Sequence, residues 1–182
     1  INSIAQYRID KIDIIRDSYG VPHIFAPTDA EVAYGLAWAH SEDDFTTIQK
    51  SYLAGNSMLS YSEGNRGLGA DFLSQFIGSD SFVSNHYETD ISNKYKKILQ
   101  AYSAGINSYA EKHPEQVLVK ELFPITPIKM LKYAYLQLFI SSEGDKWVNR
   151  IYNNSINYDH DIDEVPKGSN TFAFTSAKTI DG

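Results

Sequence analysis

Gly168, Ser169 and Asn170 open a short run, Gly-Ser-Asn-Thr-Phe-Ala-Phe, that alternates aromatic and small residues after a polar, acidic stretch from Asn153 to Lys167. A serine hydroxyl on the first residue of a strand, directly after a glycine, suits one specific chemistry. It attacks the carbonyl of Gly168 and breaks the chain there. The freed serine then carries a nucleophilic hydroxyl and an α-amino group that serves as its base. Gly168 has no Cβ to block the attack and tolerates strained φ/ψ. The same triplet is also an ordinary turn leading into a strand. On these residues alone both readings stand.

The other chemistry-bearing groups are weaker. Asp159-His160-Asp161-Ile162-Asp163-Glu164 resembles a metal loop at first sight. A calcium-binding helix–loop–helix needs Gly at the sixth position and Glu at the twelfth, and here those are Glu164 and Asn170. The segment reads as an exposed acidic spacer. His23, His40, His86, His113 and His160 are scattered without metal-ligand spacing. There is no Gly-x-Ser-x-Gly elbow. The glycines Gly64, Gly67 and Gly69 do not form the Gly-x-Gly-x-x-Gly of a phosphate loop after a strand.

Composition sets the class. At 182 residues and 42% hydrophobic, the chain is expected to be one soluble globular piece with a core. A net charge of -7 argues against nucleic acid as a partner and reads most simply as good solubility. No apolar run approaches the roughly eighteen residues of a membrane helix, so no membrane role is expected. Cysteine is absent, which excludes a disulfide framework and thiol chemistry. No signal-peptide pattern is present. The first residue is Ile1 rather than Met, which is expected of a mature or trimmed product.

The elements that would position Ser169 follow from period and punctuation. Tyr7 to Asp17 reads as a strand with Ile12, Ile14 and Arg16 on one face. Asp17-Ser18-Tyr19-Gly20 is a turn, and Val21 to Ala26 returns as the second arm of a hairpin. Thr28-x-x-Glu31 is a capping box that starts a helix at Asp29. That helix is expected to run past Leu53, with Val32, Leu36 and Ala39 on one face and Phe45, Ile48 and Tyr52 continuing it. Asn65 to Ser81 reads as Gly-rich and irregular around a short helix from Asp71 to Ile77. Ile91, Tyr95, Ile98, Leu99, Tyr102, Ile106 and Tyr109 recur at helical spacing. Thr126-Pro127 starts a last helix, apolar nearly all round and therefore expected to be buried.

Four segments carry a resemblance. They are Lys11 to Ala26, with Arg16-Asp17-x-Tyr19-Gly20-x-Pro22-His23-Ile24; Glu31 to Phe45, with Ala39-x-x-Glu42-Asp43; Ala101 to Tyr109, with Tyr102-x-x-Gly105-x-Asn107; and the Gly168-Ser169-Asn170 run with Ala177-Lys178-Thr179. Each is modest, but together and in this order they resemble the penicillin acylase family of N-terminal nucleophile hydrolases. Their spacing is like that of cephalosporin and acyl-homoserine-lactone acylases. One departure is that Asp44 stands where most members have an arginine, which puts any ion pairing at that position in doubt.

The resemblance implies an α+β fold: the mostly helical first-chain portion of an αββα sandwich, with an N-terminal β-hairpin and a C-terminal strand. It implies three segments: 1–152 as the first-chain region, 153–168 as a spacer and processing segment, and 169–182 as the truncated start of a second chain. Ser169 would be the catalytic nucleophile and Gly168–Ser169 the autoproteolytic bond. Only the 14 residues from Ser169 to Gly182 follow that bond, so this piece alone is expected to be inactive and exposed to association. The substrate would be a small N-acyl compound: a β-lactam antibiotic, an N-acyl-homoserine lactone or a relative. The other partner would be the chain's own second chain, and a bacterial periplasmic or secreted location is implied. No cofactor is expected. A structural calcium occurs in the family, but the nearest carboxylate to its position here is Glu143 and no ligand is carried over. Aligning the last helix puts Leu138, Ser141 and Ser142 near the acyl pocket. Serine at two positions where relatives place Arg and Phe would widen it for a long aliphatic or bulkier acyl group. The plain alternative is that Leu138 is core and the two serines end the helix. Two further readings stand beside the enzyme: a non-catalytic helical module binding through its 13 tyrosines, and an acylase homologue that folds but never processes.

Overall fold

The structure, a computed structural model, describes residues 7–153. Gly168, Ser169, the expected C-terminal strand and all of the acidic spacer but Asn153 lie outside the described residues. The chain divides into two compact units, Ile1–Asp145 and Lys146–Gly182.

The first unit begins with the expected hairpin. Strand β1 (Asp13–Arg16) pairs antiparallel with β2 (Pro22–Phe25), Ile14 opposite Ile24 and Ile15 opposite His23. The ladder is shorter than the run from Tyr7 suggests, because Ile9–Lys11 coils into a 3₁₀ turn. Pro27, just beyond the second arm, has no N–H to extend the pairing. At the turn, Gly20 takes φ +83°, a left-handed conformation that glycine adopts without Cβ strain.

Helix α1 (Asp29–Gly55) starts where the capping box puts it: the Thr28 hydroxyl accepts from the Glu31 amide. It is not one continuous helix. Asp44 has φ −157° and ψ 73°, and its carboxylate accepts from the Thr47 amide at 3.0 Å. The residue that departs from the family pattern thus acts as a cap in mid-run, as short Asp side chains do. The deeply buried seam is also different from the expected one. Ala33, Ala37, Ala39, Phe45 and Leu53 are buried, whereas Val32 and Leu36 are only half-buried.

After α2 (Ser60–Glu63), the stretch from Asn65 to Ser81 holds the expected short helix as α3 (Leu68–Phe76), three residues earlier at its start, and an unexpected one, α4 (Ser79–Asp90), begins at its end. Helix α4 escapes sequence reading because only Val83 and Tyr87 of its apolar residues are buried, too few to show a period. The buried Asp71 carboxylate organises this region by accepting from the amides of Leu59 (2.6 Å) and Ser60 (2.9 Å).

Helix α5 (Asn93–Lys112), capped by Ser92, lies along α1. A Cβ at Gly105 would sit 2.5 Å from the Tyr34 carbonyl oxygen and 2.8 Å from Ala37 Cβ, so this approach requires glycine. Ala37, Phe45, Leu53, Leu99, Ile106 and Tyr109 form the main core with Leu122 and Ile125. Helix α6 (Pro127–Ser141) begins at its Thr126 cap and leads to α7 (Gly144–Tyr152). Within α6 only Met130 and Leu136 are buried. An all-round apolar helix was expected to be covered, yet Leu138 is 66% exposed and Ile140 39%. In the second unit the described residues run from Lys146 to Asn153, with the Arg150 guanidinium 5.1 Å from the Trp147 ring centroid.

Candidate functional site

The hairpin motif is a latch. Arg16, at the end of β1, reaches Asp43 (2.8 Å) and Glu42 (3.2 Å) on α1, and donates to the Gly20 carbonyl (2.9 Å) across the turn. The paired carboxylates, Asp43 first, raise its already high pKa. Asp17 clamps the turn from inside. One carboxylate oxygen accepts from the amides of Tyr19 (2.8 Å) and Val21 (3.0 Å), and the other lies 3.2 Å from His23 Nε2. These bonds, His23's first, hold Asp17 below the usual carboxylate range. Arg16, Asp17 and His23 therefore hold the hairpin turn, and Arg16 ties it to α1. Tyr19 contributes through its backbone: its amide is held, but the residue is 91% exposed.

A second clamp comes from the motif in α5. Asn107 Nδ2 donates to the Ile125 carbonyl (2.8 Å), and its Oδ1 accepts from the Ile125 amide (2.7 Å). This two-way pairing fixes the chain just before the cap of α6. The motif's glycine packs α5 on α1, and its asparagine aims α6.

The predicted pocket residues come together at the far end of α6. The hydroxyls of Ser141 (3.0 Å) and Ser142 (2.8 Å) both donate to the Leu138 carbonyl. The Ser142 amide donates to the same carbonyl at 3.0 Å, so both serine hydroxyls fold back onto a helix-end carbonyl that already has an amide partner. Glu143 follows at φ +61°. Leu138 itself borders a groove of about 190 Å³ between α4 and α6, with Phe82, Val83, His86, Leu131 and Tyr135 on its walls. Phe82 stacks between Tyr135 (4.6 Å) and His86 (4.4 Å), while His86 Nδ1 lies 2.7 Å from the Phe82 carbonyl. Sequence reasoning missed this aromatic wall because α4 was not read as a helix. Phe82 and His86 sit four residues apart in it, a spacing that would have signalled a shared face.

Gly168 and Ser169 lie outside the described residues, so no distance relates them to this groove. Among the described residues no group of three or more His, Asp or Glu is placed to hold a metal ion. No described helix is long and apolar enough to cross a membrane.

The latch, the glycine contact and the asparagine clamp give three of the four sequence motifs structural work in one helical scaffold, and the chain belongs to the penicillin amidase family, whose pattern it matches over residues 11–182. It is 23% identical over 159 residues to penicillin G acylase of Escherichia coli, covering 80% of this chain and 18% of that protein. To an acyl-homoserine lactone acylase of Pseudomonas syringae pv. syringae it is 23% identical over 105 residues, covering 53% of this chain and 13% of the relative. The thermostable penicillin G acylase from Alcaligenes faecalis shares its fold, with a TM-score of 0.60 at 16% identity over 89% of this chain and 98% of the matched one. The chain spans less than a fifth of the length of these sequence relatives.

Proposed function

We propose that this chain is part of an amide-bond hydrolase, an acylase that removes an acyl group from a β-lactam antibiotic, an N-acyl-homoserine lactone or a related N-acyl compound. The observation that carries this reading is the family match running through Gly168-Ser169-Asn170 to residue 182. On this reading residues 1–152 are the first-chain region, 153–168 a processing segment and 169–182 the start of the second chain. The Ser169 hydroxyl attacks the Gly168 carbonyl, the Gly168–Ser169 bond breaks, and water releases the new carboxyl end of Gly168. The freed α-amino group then accepts the hydroxyl proton, directly or through a water. Ser169 attacks the substrate amide, the amine leaves with a proton, and water hydrolyses the acyl-enzyme. Donors for the oxyanion would come from the second chain. A chain still joined at Gly168–Ser169 has no free amine and is inactive. The protein would act in the bacterial periplasm or outside the cell.

Leu138 supports the substrate side of the reading. It is exposed beside an apolar groove, and the two neighbouring serines turn inward to the backbone instead of projecting bulk. A long aliphatic or bulky acyl group fits such an edge better than a phenylacetyl group held tightly. The test is acid release by the complete gene product from octanoyl-homoserine lactone, penicillin G and a long-chain penicillin. Release that disappears in Ser169→Ala is expected, fastest with the long acyl chains. Equal release by wild type and Ser169→Ala would overturn the assignment.

A further inference from the structure

A cleft of about 250 Å³ lies between the hairpin segment, α1 and α5. Ile9, Ile12 and Ile14 line one side of it and the Trp38 ring another. Gly35 forms part of the wall between them, where a Cβ would press on the methyl ends of Ile12 and Ile24 at 2.8 Å. The remaining side is α5, which supplies Ser108, Glu111 and Lys112. The volume falls just under the range of ordinary small-molecule pockets, about 300–1,000 Å³, which suits a molecule the size of one amino acid.

The α5 side gives the cleft its chemistry. Glu111 and Lys112 each stand one helical turn beyond Ser108, so all three border the same opening. Glu111 and Lys112 are exposed, and neither side chain makes an ion pair or hydrogen bond with a described residue; nor does the Ser108 hydroxyl. Lys112 is placed by Trp38 instead: its Nζ lies 4.8 Å from the ring centroid, an arrangement that attracts a cation to the ring face. The indole is itself fixed. Its Nε1 donates to Glu42 at 2.8 Å, and Tyr109 meets it edge to face at 5.3 Å. The mouth therefore carries one carboxylate and one ammonium, both free for a ligand, over an aliphatic wall. These groups select by charge. A carboxylate that meets Lys112 also faces Glu111, and an amine that meets Glu111 also faces Lys112, so each sets one attraction against one repulsion of similar size. A neutral molecule gains neither attraction. A zwitterion gains both, and an apolar side chain on it covers the isoleucines and leaves water.

We propose that this cleft binds a free aliphatic amino acid, whose ammonium meets Glu111, whose carboxylate meets Lys112 and the Ser108 hydroxyl, and whose side chain lies against Ile9, Ile12 and Ile14. The proposal uses no residue of the acylase reading and does not depend on Ser169.

The test uses the complete gene product with L-leucine and two analogues: 4-methylpentanoate, which is leucine without its amino group, and 3-methylbutylamine, which is leucine without its carboxylate. Dissociation constants are read from saturation-transfer NMR of the ligand methyl signals. Leucine is expected to bind saturably and about threefold more tightly than either analogue. Glu111→Gln is expected to weaken leucine about threefold and to tighten 4-methylpentanoate, because the repelling carboxylate is gone. Lys112→Met is expected to weaken leucine and to tighten 3-methylbutylamine. Both residues are exposed, so neither substitution threatens the fold, and a merely structural role would not produce this crossed change. Ile9→Ala, at the exposed edge of the wall, is expected to weaken all three ligands alike. Absence of saturable leucine binding, either analogue binding as tightly as leucine, or charge variants that leave the order of the ligands unchanged would each overturn the proposal.

Discussion

At the scale of single residues, the motif side chains act mainly by satisfying backbone. Asp17 shows what this predicts. Its folded-state pKa is lowered, by His23 first and then by the Tyr19 and Val21 amides. The turn clamp is therefore fully present above the ordinary carboxylate value, about 3.9, and is lost as pH falls through the lowered one. The amide proton shifts of Tyr19 and Val21 should titrate with a midpoint below that ordinary value, and Asp17→Asn should abolish the titration. A midpoint at or above the ordinary value would contradict the clamp. Asn107 makes a second case. Asn107→Ala removes both partners of Ile125, leaving a buried amide and carbonyl unpaired. We expect a loss of about 2 kcal/mol in urea unfolding. A loss below about 0.5 kcal/mol would show that the segment before α6 is held by other contacts.

At the scale of elements, Gly105 on α5 and Gly35 on α1 should behave differently. A Cβ at Gly105 meets the Tyr34 backbone, which cannot move without parting α1 from α5, whereas a Cβ at Gly35 meets only the methyl ends of Ile12 and Ile24, each at 2.8 Å. Gly105→Ala should cost about 2 kcal/mol or more, while Gly35→Ala should stay within about 1 kcal/mol, its clash offset by the better helix propensity of alanine. Equal effects in thermal unfolding would contradict the packing argument. The elements also show what the sequence could disclose. Caps were legible: Thr28, Thr126 and the turn at Gly20 carry local chemistry that tertiary contacts did not override. The amphipathic run from Tyr95 to Tyr109 was legible because its period is strong. The break at Asp44 was not, because a capping aspartate inside a helical run looks the same in sequence as a surface one. Helix α4 was hidden because it buries so little. The end of α6 was misjudged because hydrophobicity tells what prefers cover, not whether described neighbours supply it. At the site, Leu138, Ser141 and Ser142 share the last turn of α6. Their aromatic surroundings come from α4, far off in sequence.

At the scale of the whole molecule, the described surface carries large apolar side chains on several elements: Ile15 and Phe25 on the hairpin, Phe72 and Phe76 on α3, and Leu138 on α6. Exposed apolar area of this kind marks contact surfaces. Against it stands a net charge of -7, whose repulsion salt screens. The 182-residue chain should therefore associate increasingly with concentration and with salt, and should bind a hydrophobic dye. A monodisperse, sharply melting monomer at high salt in sedimentation and calorimetry would contradict this. The central claim concerns Ser169, and one measurement addresses it most directly: the intact mass of the complete gene product, wild type beside Ser169→Ala. The account predicts that the wild type separates into two chains, the second beginning at Ser169, and that the variant stays whole. If both remain whole, Ser169 is a turn residue or an inactive nucleophile, and the acylase mechanism proposed for this chain is wrong.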